Sequence, residues 1–145
     1  MVLQEITFDR AERSVQLGYA PDDIQRGAGL KAAVEALPAP GVLQDIQAAV
    51  DFAAGAGKVG VVGYCWGGLL AWRSAERVTG LSAAVSYYGG GMSAGSEPSR
   101  RPPEVEVHLY DAHHGFDCDQ RAAHDAPAAA TALARTLSHF DGHQA

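Results

Sequence analysis

Apolar positions recur along this chain in two periods. Val42, Ile46, Ala49, Val50 and Ala53 fall on one stripe at helical spacing, which predicts an amphipathic helix over residues 42–54 that Gly55-Ala56-Gly57 stops. From Lys58 the pattern changes to the β-branched run Val59-Gly60-Val61-Val62. That run ends in Gly63-Tyr64-Cys65-Trp66-Gly67 and passes without a break into helix-compatible sequence reaching about Val78, closed by Thr79-Gly80. It reads as strand, tight turn, helix. Leu81 to Tyr88 is a second apolar strand, ended by Gly89-Gly90-Gly91, and the alternation of Val105, Val107 and Leu109 predicts a third over Val105–Tyr110. Val2 to Phe8 alternates loosely enough for a further short strand.

The remaining segments follow from turn and cap chemistry. Tyr19-Ala20-Pro21-Asp22-Asp23 reads as a turn into a helix from about Ile24 to Leu37, with Asp22 or Asp23 as cap and Pro38, Pro40 and Gly41 as its end. Residues 92–103, rich in Ser, Gly and Pro, predict a loop. An alanine-rich helix is expected over Ala128–Phe140, with Pro127 suited to its first turn. Strands alternating with helices imply an α/β fold: a small, mostly parallel sheet with helices on both faces. There is no internal repeat.

Composition narrows the classes. A chain of 145 residues, 47% of them hydrophobic, can bury one core, so residues 1–145 are expected to form a single domain. The net charge of −6 and the absence of any block of Lys or Arg leave no basic surface for phosphate backbones, so no nucleic-acid partner is expected. Met1 to Arg10 mixes charged and apolar residues and lacks the apolar core of a signal peptide, and no stretch approaches membrane-spanning length. Two cysteines, Cys65 and Cys118, make no disulfide scaffold, and a cytoplasmic setting is the default expectation.

The candidate chemistry begins at Cys65. Gly63-Tyr64-Cys65-Trp66-Gly67 is the nucleophile-elbow pattern with Cys in place of Ser, a strained strand-to-helix turn in which glycines let neighbouring backbone pack closely. A thiol at a helix N-terminus faces the positive end of the macrodipole, which favours the reactive thiolate. The backbone N–H of Trp66 then points where an oxyanion would develop, as half of an oxyanion hole. The structural alternative is a buried Cys in a glycine-rich βα turn. A Cys nucleophile also needs a base, and the loop after the last expected strand offers His113 and His114, on the sheet edge where the elbow also lies. Exposed loop histidines are the plain alternative. His113, His114, Cys118 and Asp119 could in principle ligate a metal, but they lack the paired spacing of a zinc site, so neither metal nor cofactor is expected.

Three segments in order, Gly63-Tyr64-Cys65-Trp66-Gly67-Gly68, Ala84-Val85-Ser86-Tyr87-Tyr88-Gly89-Gly90 and Val107 to Asp119, resemble the dienelactone hydrolase (carboxymethylenebutenolidase) family. Tyr19 to Ile24 and Asp45 to Asp51 resemble family segments upstream of the elbow. The resemblance implies an α/β-hydrolase fold and a Cys-Asp-His triad with Cys65 as nucleophile and His114 as base, acting on a small ester or lactone. His113 stands where the family usually has Gly. Against the family pattern the chain is shortened at its start, without the opening strands and the loop that carries a second oxyanion donor and an acidic residue near the Cys. It is short internally as well: only 15 residues separate Tyr88 from Glu104, room for one parallel crossover but not for the extra strand, triad Asp and helix of the family.

No residue can be matched to the triad Asp, and Asp111 and Asp117 are the nearest carboxylates to His114 along the chain. Impaired hydrolysis is therefore one expectation. A non-catalytic shortened paralogue that binds a small carboxylate or a partner chain is the alternative, and an exposed sheet edge would favour a homodimer. A glutamine-amidotransferase-like or DJ-1-like Cys protein shares the elbow but has a different His context.

Overall fold

The computed structural model describes residues 10–92 and 105–144. The strand expected over Val2–Phe8, and the expected loop beyond Met92, lie outside the described residues. Helix α1 spans Pro21–Glu35, α2 spans Leu43–Ala53 and runs into a single 3₁₀ turn at Ala54–Ala56, and strand β1 spans Val59–Tyr64. Helix α3 spans Trp66–Arg77, β2 spans Leu81–Tyr87 and α4 spans Ala126–Gln144.

Helix α1 starts three residues earlier than expected because Pro21 occupies its first turn, where a missing N–H costs nothing. Asp22 and Asp23 consequently sit inside that turn, favourably placed for the helix dipole, and Ala20 is the N-cap without a side-chain hydrogen bond. The stripe on α2 is buried as its spacing requires: Ile46 and Val50 are fully enclosed. Burying one such side chain contributes about 1.5–3 kcal/mol relative to leaving it in water. Gln47 on the same helix receives the Thr79 N–H at 2.9 Å and donates to the Thr79 carbonyl at 3.1 Å, tying α2 to the turn after α3.

β1 and β2 pair in parallel, with Val61 opposite Ala84, Val62 opposite Val85 and Tyr64 opposite Tyr87. Successive side chains on a strand point to opposite faces. Val59 and Val61 accordingly join Ile46, Val50, Leu69 and Leu70 in one core beneath α2 and α3. Val62, Tyr64, Val85 and Tyr87 join Phe116 and Ala132 in a second, against α4. Helices thus cover both faces of the sheet.

One expected strand is corrected. Val105–Tyr110 forms no strand and pairs with neither β1 nor β2, so among the described residues the sheet has two strands. Glu106 and His108 line a groove with Arg135, Ser138 and His139 of α4, and Arg135 donates to the Tyr110 hydroxyl at 3.0 Å. The alternating apolar side chains face away, Val107 being 73% and Leu109 92% exposed. The alternation is a strand pattern, but a strand also requires a neighbour, and among the described residues none pairs with this stretch. No helix among the described residues is long and apolar enough to cross a membrane.

Candidate active site

The elbow forms because the chain must turn from β1 into α3 within one residue, and the strain falls on Cys65, whose φ of 53° and ψ of −118° lie far from strand or helix values. Its backbone is fixed on both sides. The Cys65 N–H donates to the Tyr87 carbonyl at 3.1 Å, and the Cys65 carbonyl accepts from the Gly68 and Leu69 N–H groups at 3.0 and 3.3 Å. A Cβ on Gly63 would lie 1.9 Å from the Gly67 carbonyl oxygen, so only glycine fits there. Gly67 itself is corrected as a required position, since a Cβ on it would meet nothing within 4 Å. The second close approach belongs to Gly68, where a Cβ would lie 2.7 Å from the Tyr87 carbonyl oxygen.

Trp66 is the first residue of α3, so its backbone N–H lies at the helix N-terminus, beside Cys65 and at the positive end of the helix dipole. Its indole is buried in the first core, with Lys31 Nζ 5.9 Å above the ring. Trp66 and Phe116 are thereby core residues, and half-buried Tyr64 packs in the second core.

The His loop reaches the elbow from the other side of the chain. Gly115, at φ 88°, takes a left-handed turn directly after His114, and the Phe116 N–H closes the turn on the His113 carbonyl at 3.1 Å. Phe116 then anchors the loop in the second core, its ring centroid 5.3 Å from Tyr110 and 5.4 Å from Tyr88. The Phe116 carbonyl accepts from the Asp125 N–H at 2.9 Å, and Asp125 Oδ1 accepts from the Ala128 N–H at 2.9 Å as an N-terminal cap of α4. Cys118 Sγ meets the Tyr19 hydroxyl at 3.2 Å, joining the loop to the segment before α1.

This scaffold brings two of the expected site residues together. His114 Nε2 lies 3.2 Å from Cys65 Sγ although 49 positions separate them in the chain, and both side chains are exposed. His113 goes elsewhere, lining a groove of about 370 Å³ with Asp111, Ala112, Ala122, Ala123, His124 and Asp125. Neither Asp111 nor Asp117 makes a hydrogen bond to His114 among the described residues. Burial raises the Asp117 carboxyl above its ordinary range, partly offset by the nearby His124. Among the described residues no three His, Cys, Asp or Glu side chains converge as a metal-binding group.

Two features escaped sequence reasoning. Tyr88 adopts φ 37°, unusual for a bulky residue, and packs against His114 with ring centroids 5.1 Å apart. Gly68 and Gly89 crowd each other across the β2–α3 contact, where a Cβ on Gly89 would lie 2.9 Å from Gly68 backbone. The available signal was the glycine run after each apolar strand.

Comparison with known proteins gives a consistent result. The profile of the dienelactone hydrolase family matches residues 12–102, more than half of the chain. A protein of Synechocystis sp. named "Putative carboxymethylenebutenolidase" is 25% identical over 178 residues, covering 92% of this chain and 71% of that protein. A protein of the same name from Methylorubrum extorquens is 39% identical over 61 residues, covering 39% of this chain and 21% of its own length. The first alignment is longer than this chain's 145 residues, so part of that relative has no counterpart here.

Proposed function

Because the chain belongs to the dienelactone hydrolase family, we propose that it hydrolyses esters or lactones through a Cys65 nucleophile and a His114 base. The observation that carries this reading is the 3.2 Å approach of His114 Nε2 to Cys65 Sγ at a strained elbow. Hydrogen-bond contact between nucleophile and base is the geometric requirement for covalent catalysis.

In this mechanism Sγ attacks the carbonyl carbon while its proton passes to Nε2. The oxyanion of the tetrahedral intermediate is stabilised by the Trp66 N–H at the α3 N-terminus. Collapse breaks the C–O bond, and the departing alkoxide takes the proton from Nε2, leaving an acyl thioester on Cys65. Water then attacks the thioester, giving its proton to Nε2, and the restored thiol leaves the carboxylic acid product. A lactone follows the same course, its alkoxide remaining tethered to the acyl group. No cofactor enters the sequence.

Among the described residues no carboxylate orients the imidazole, and in a Ser-His-Asp triad that loss lowers kcat about 10⁴-fold. A thiol is more nucleophilic and ionises more readily than a hydroxyl, so the Cys-His pair suffers less, and the expected activity is reduced rather than abolished. The exposed apolar side chains of Val105, Val107 and Leu109 also favour a homodimer.

The decisive experiment is hydrolysis of p-nitrophenyl acetate by wild-type, Cys65→Ala and His114→Ala proteins, with mass spectrometry for acylated Cys65. Cys65→Ala is expected to lose turnover, and His114→Ala to lower kcat by about 10²–10⁴, the usual contribution of a general base. Undiminished turnover by Cys65→Ala would remove the nucleophile assignment.

A further inference from the structure

Neighbouring residues of a strand face opposite sides of a sheet, yet Tyr87 and Tyr88 share one aromatic cluster, their ring centroids 6.1 Å apart and their planes at 82°. The chain manages this by leaving the strand geometry at Tyr88, whose φ of 37° is a genuine outlier for so bulky a residue. Non-glycine residues held in such conformations persist only where the surroundings impose them, and they gather at functional sites. Here the turn brings the Tyr88 ring onto the base. Its centroid lies 5.1 Å from that of His114, with the planes at 62°, an edge contact of the kind aromatic rings prefer.

Tyr88 is itself braced. Phe116 meets it at 5.4 Å with the planes at 73°, and Tyr64 lies 6.2 Å away. Because Phe116 is only two residues beyond His114, one ring anchors the His loop and also backs the ring that touches His114. Burial pushes the Tyr88 phenol well above its ordinary range, so the side chain is neutral in use and acts through its ring.

A His base must hold its plane so that one nitrogen faces the nucleophile, and that duty normally falls to a carboxylate on the other nitrogen. Among the described residues no carboxylate reaches His114. We infer that Tyr88 is the positioning residue for His114, its ring edge, set by the left-handed turn after β2 and by Phe116, holding Nε2 toward Cys65 Sγ in place of a carboxylate. This inference rests on the reading of Cys65 and His114 as a working pair.

The test compares Tyr88→Phe, Tyr88→Leu, Cys65→Ala and wild type in p-nitrophenyl acetate hydrolysis, with NMR of the His114 imidazole in each folded protein. Tyr88→Leu is expected to lower kcat about 10- to 100-fold with KM changed less than about threefold, since a ~1 Å misplacement of reacting groups costs on the order of 100-fold. Tyr88→Phe, which keeps the ring, retains wild-type kcat. In wild type, nuclear Overhauser contacts join the Tyr88 ring protons to the His114 imidazole, and Tyr88→Leu shifts the imidazole resonances.

A folded Tyr88→Leu protein with wild-type kcat and unshifted His114 resonances overturns the role, and a Tyr88→Phe protein as slow as Tyr88→Leu transfers it to the hydroxyl and overturns it equally. If Tyr88→Leu does not fold, absence of the Tyr88 to His114 contacts in wild type overturns it without any variant. Full turnover by Cys65→Ala would instead dismiss the Cys65–His114 pair, and the NMR contacts would still report on the Tyr88 ring.

Discussion

Gly63 and Gly67 flank Cys65 symmetrically in the sequence, but a Cβ added at Gly63 would strike the Gly67 carbonyl at 1.9 Å, whereas one added at Gly67 would enter open space. Backbone cannot yield as a flexible side chain can. Gly63→Ala is therefore expected to destabilise the protein by about 3 kcal/mol or more, at or beyond the upper end for overpacking. Gly67→Ala, inside the first turn of α3, should change stability by less than about 1 kcal/mol and in the favourable direction that helix propensity gives. Urea unfolding followed by circular dichroism measures both. Comparable losses for the two variants would mean that the elbow tolerates neither, contrary to the packing. Cys65 itself was legible as a candidate nucleophile because its glycine context is local. The candidate base was legible only through the His-Gly-Phe context of the family resemblance, which singles out His114 over the adjacent His113. That distinction comes from Gly115 and Phe116, which turn one imidazole toward the elbow and leave the other on a groove.

Among the elements, α2 and β1 fold as read because their apolar faces are covered. The 3.6-residue stripe of α2 is buried at Ile46 and Val50, and the run Val59–Val62 became the strand that separates the two cores. Val105–Tyr110 carries an equally regular alternation and has no strand partner among the described residues. Ile46, with no exposed surface, and Leu109, 92% exposed, make the contrast measurable. Ile46→Ala should cost about 2–5 kcal/mol, as for other large-to-small core changes. Leu109→Ala should stay within about 0.5 kcal/mol, as expected of exposed positions. Denaturation midpoints of the two variants test this, and a cost at Leu109 comparable to that at Ile46 would show that 105–110 is covered in solution.

For the whole molecule, the spacing between Tyr88 and Glu104 is the governing quantity. Fifteen residues can make one crossover, and a relative aligned over 178 residues has segments without a counterpart in this chain. The sheet ends with two described strands and with Val105, Val107 and Leu109 facing outward. Unpaired, apolar, extended segments invite pairing with another chain. Sedimentation velocity is expected to show a coefficient that rises with concentration in wild type and is flat after Val107→Lys with Leu109→Lys. A single monomeric coefficient at all concentrations in wild type would contradict the homodimer.

By itself the sequence determined the class of fold, the elbow and the family, because each rests on chain neighbours: periodicity, glycine at fixed offsets and motifs in order. Only the tertiary structure decided how close His114, the histidine that the resemblance named, comes to Cys65, that Gly68 rather than Gly67 is the second crowded glycine, that Tyr88 turns back onto His114, and that the last alternating stretch has no partner among the described residues. Each of those depends on groups far apart in the chain being brought to within a few ångströms, and no local pattern encodes such distances.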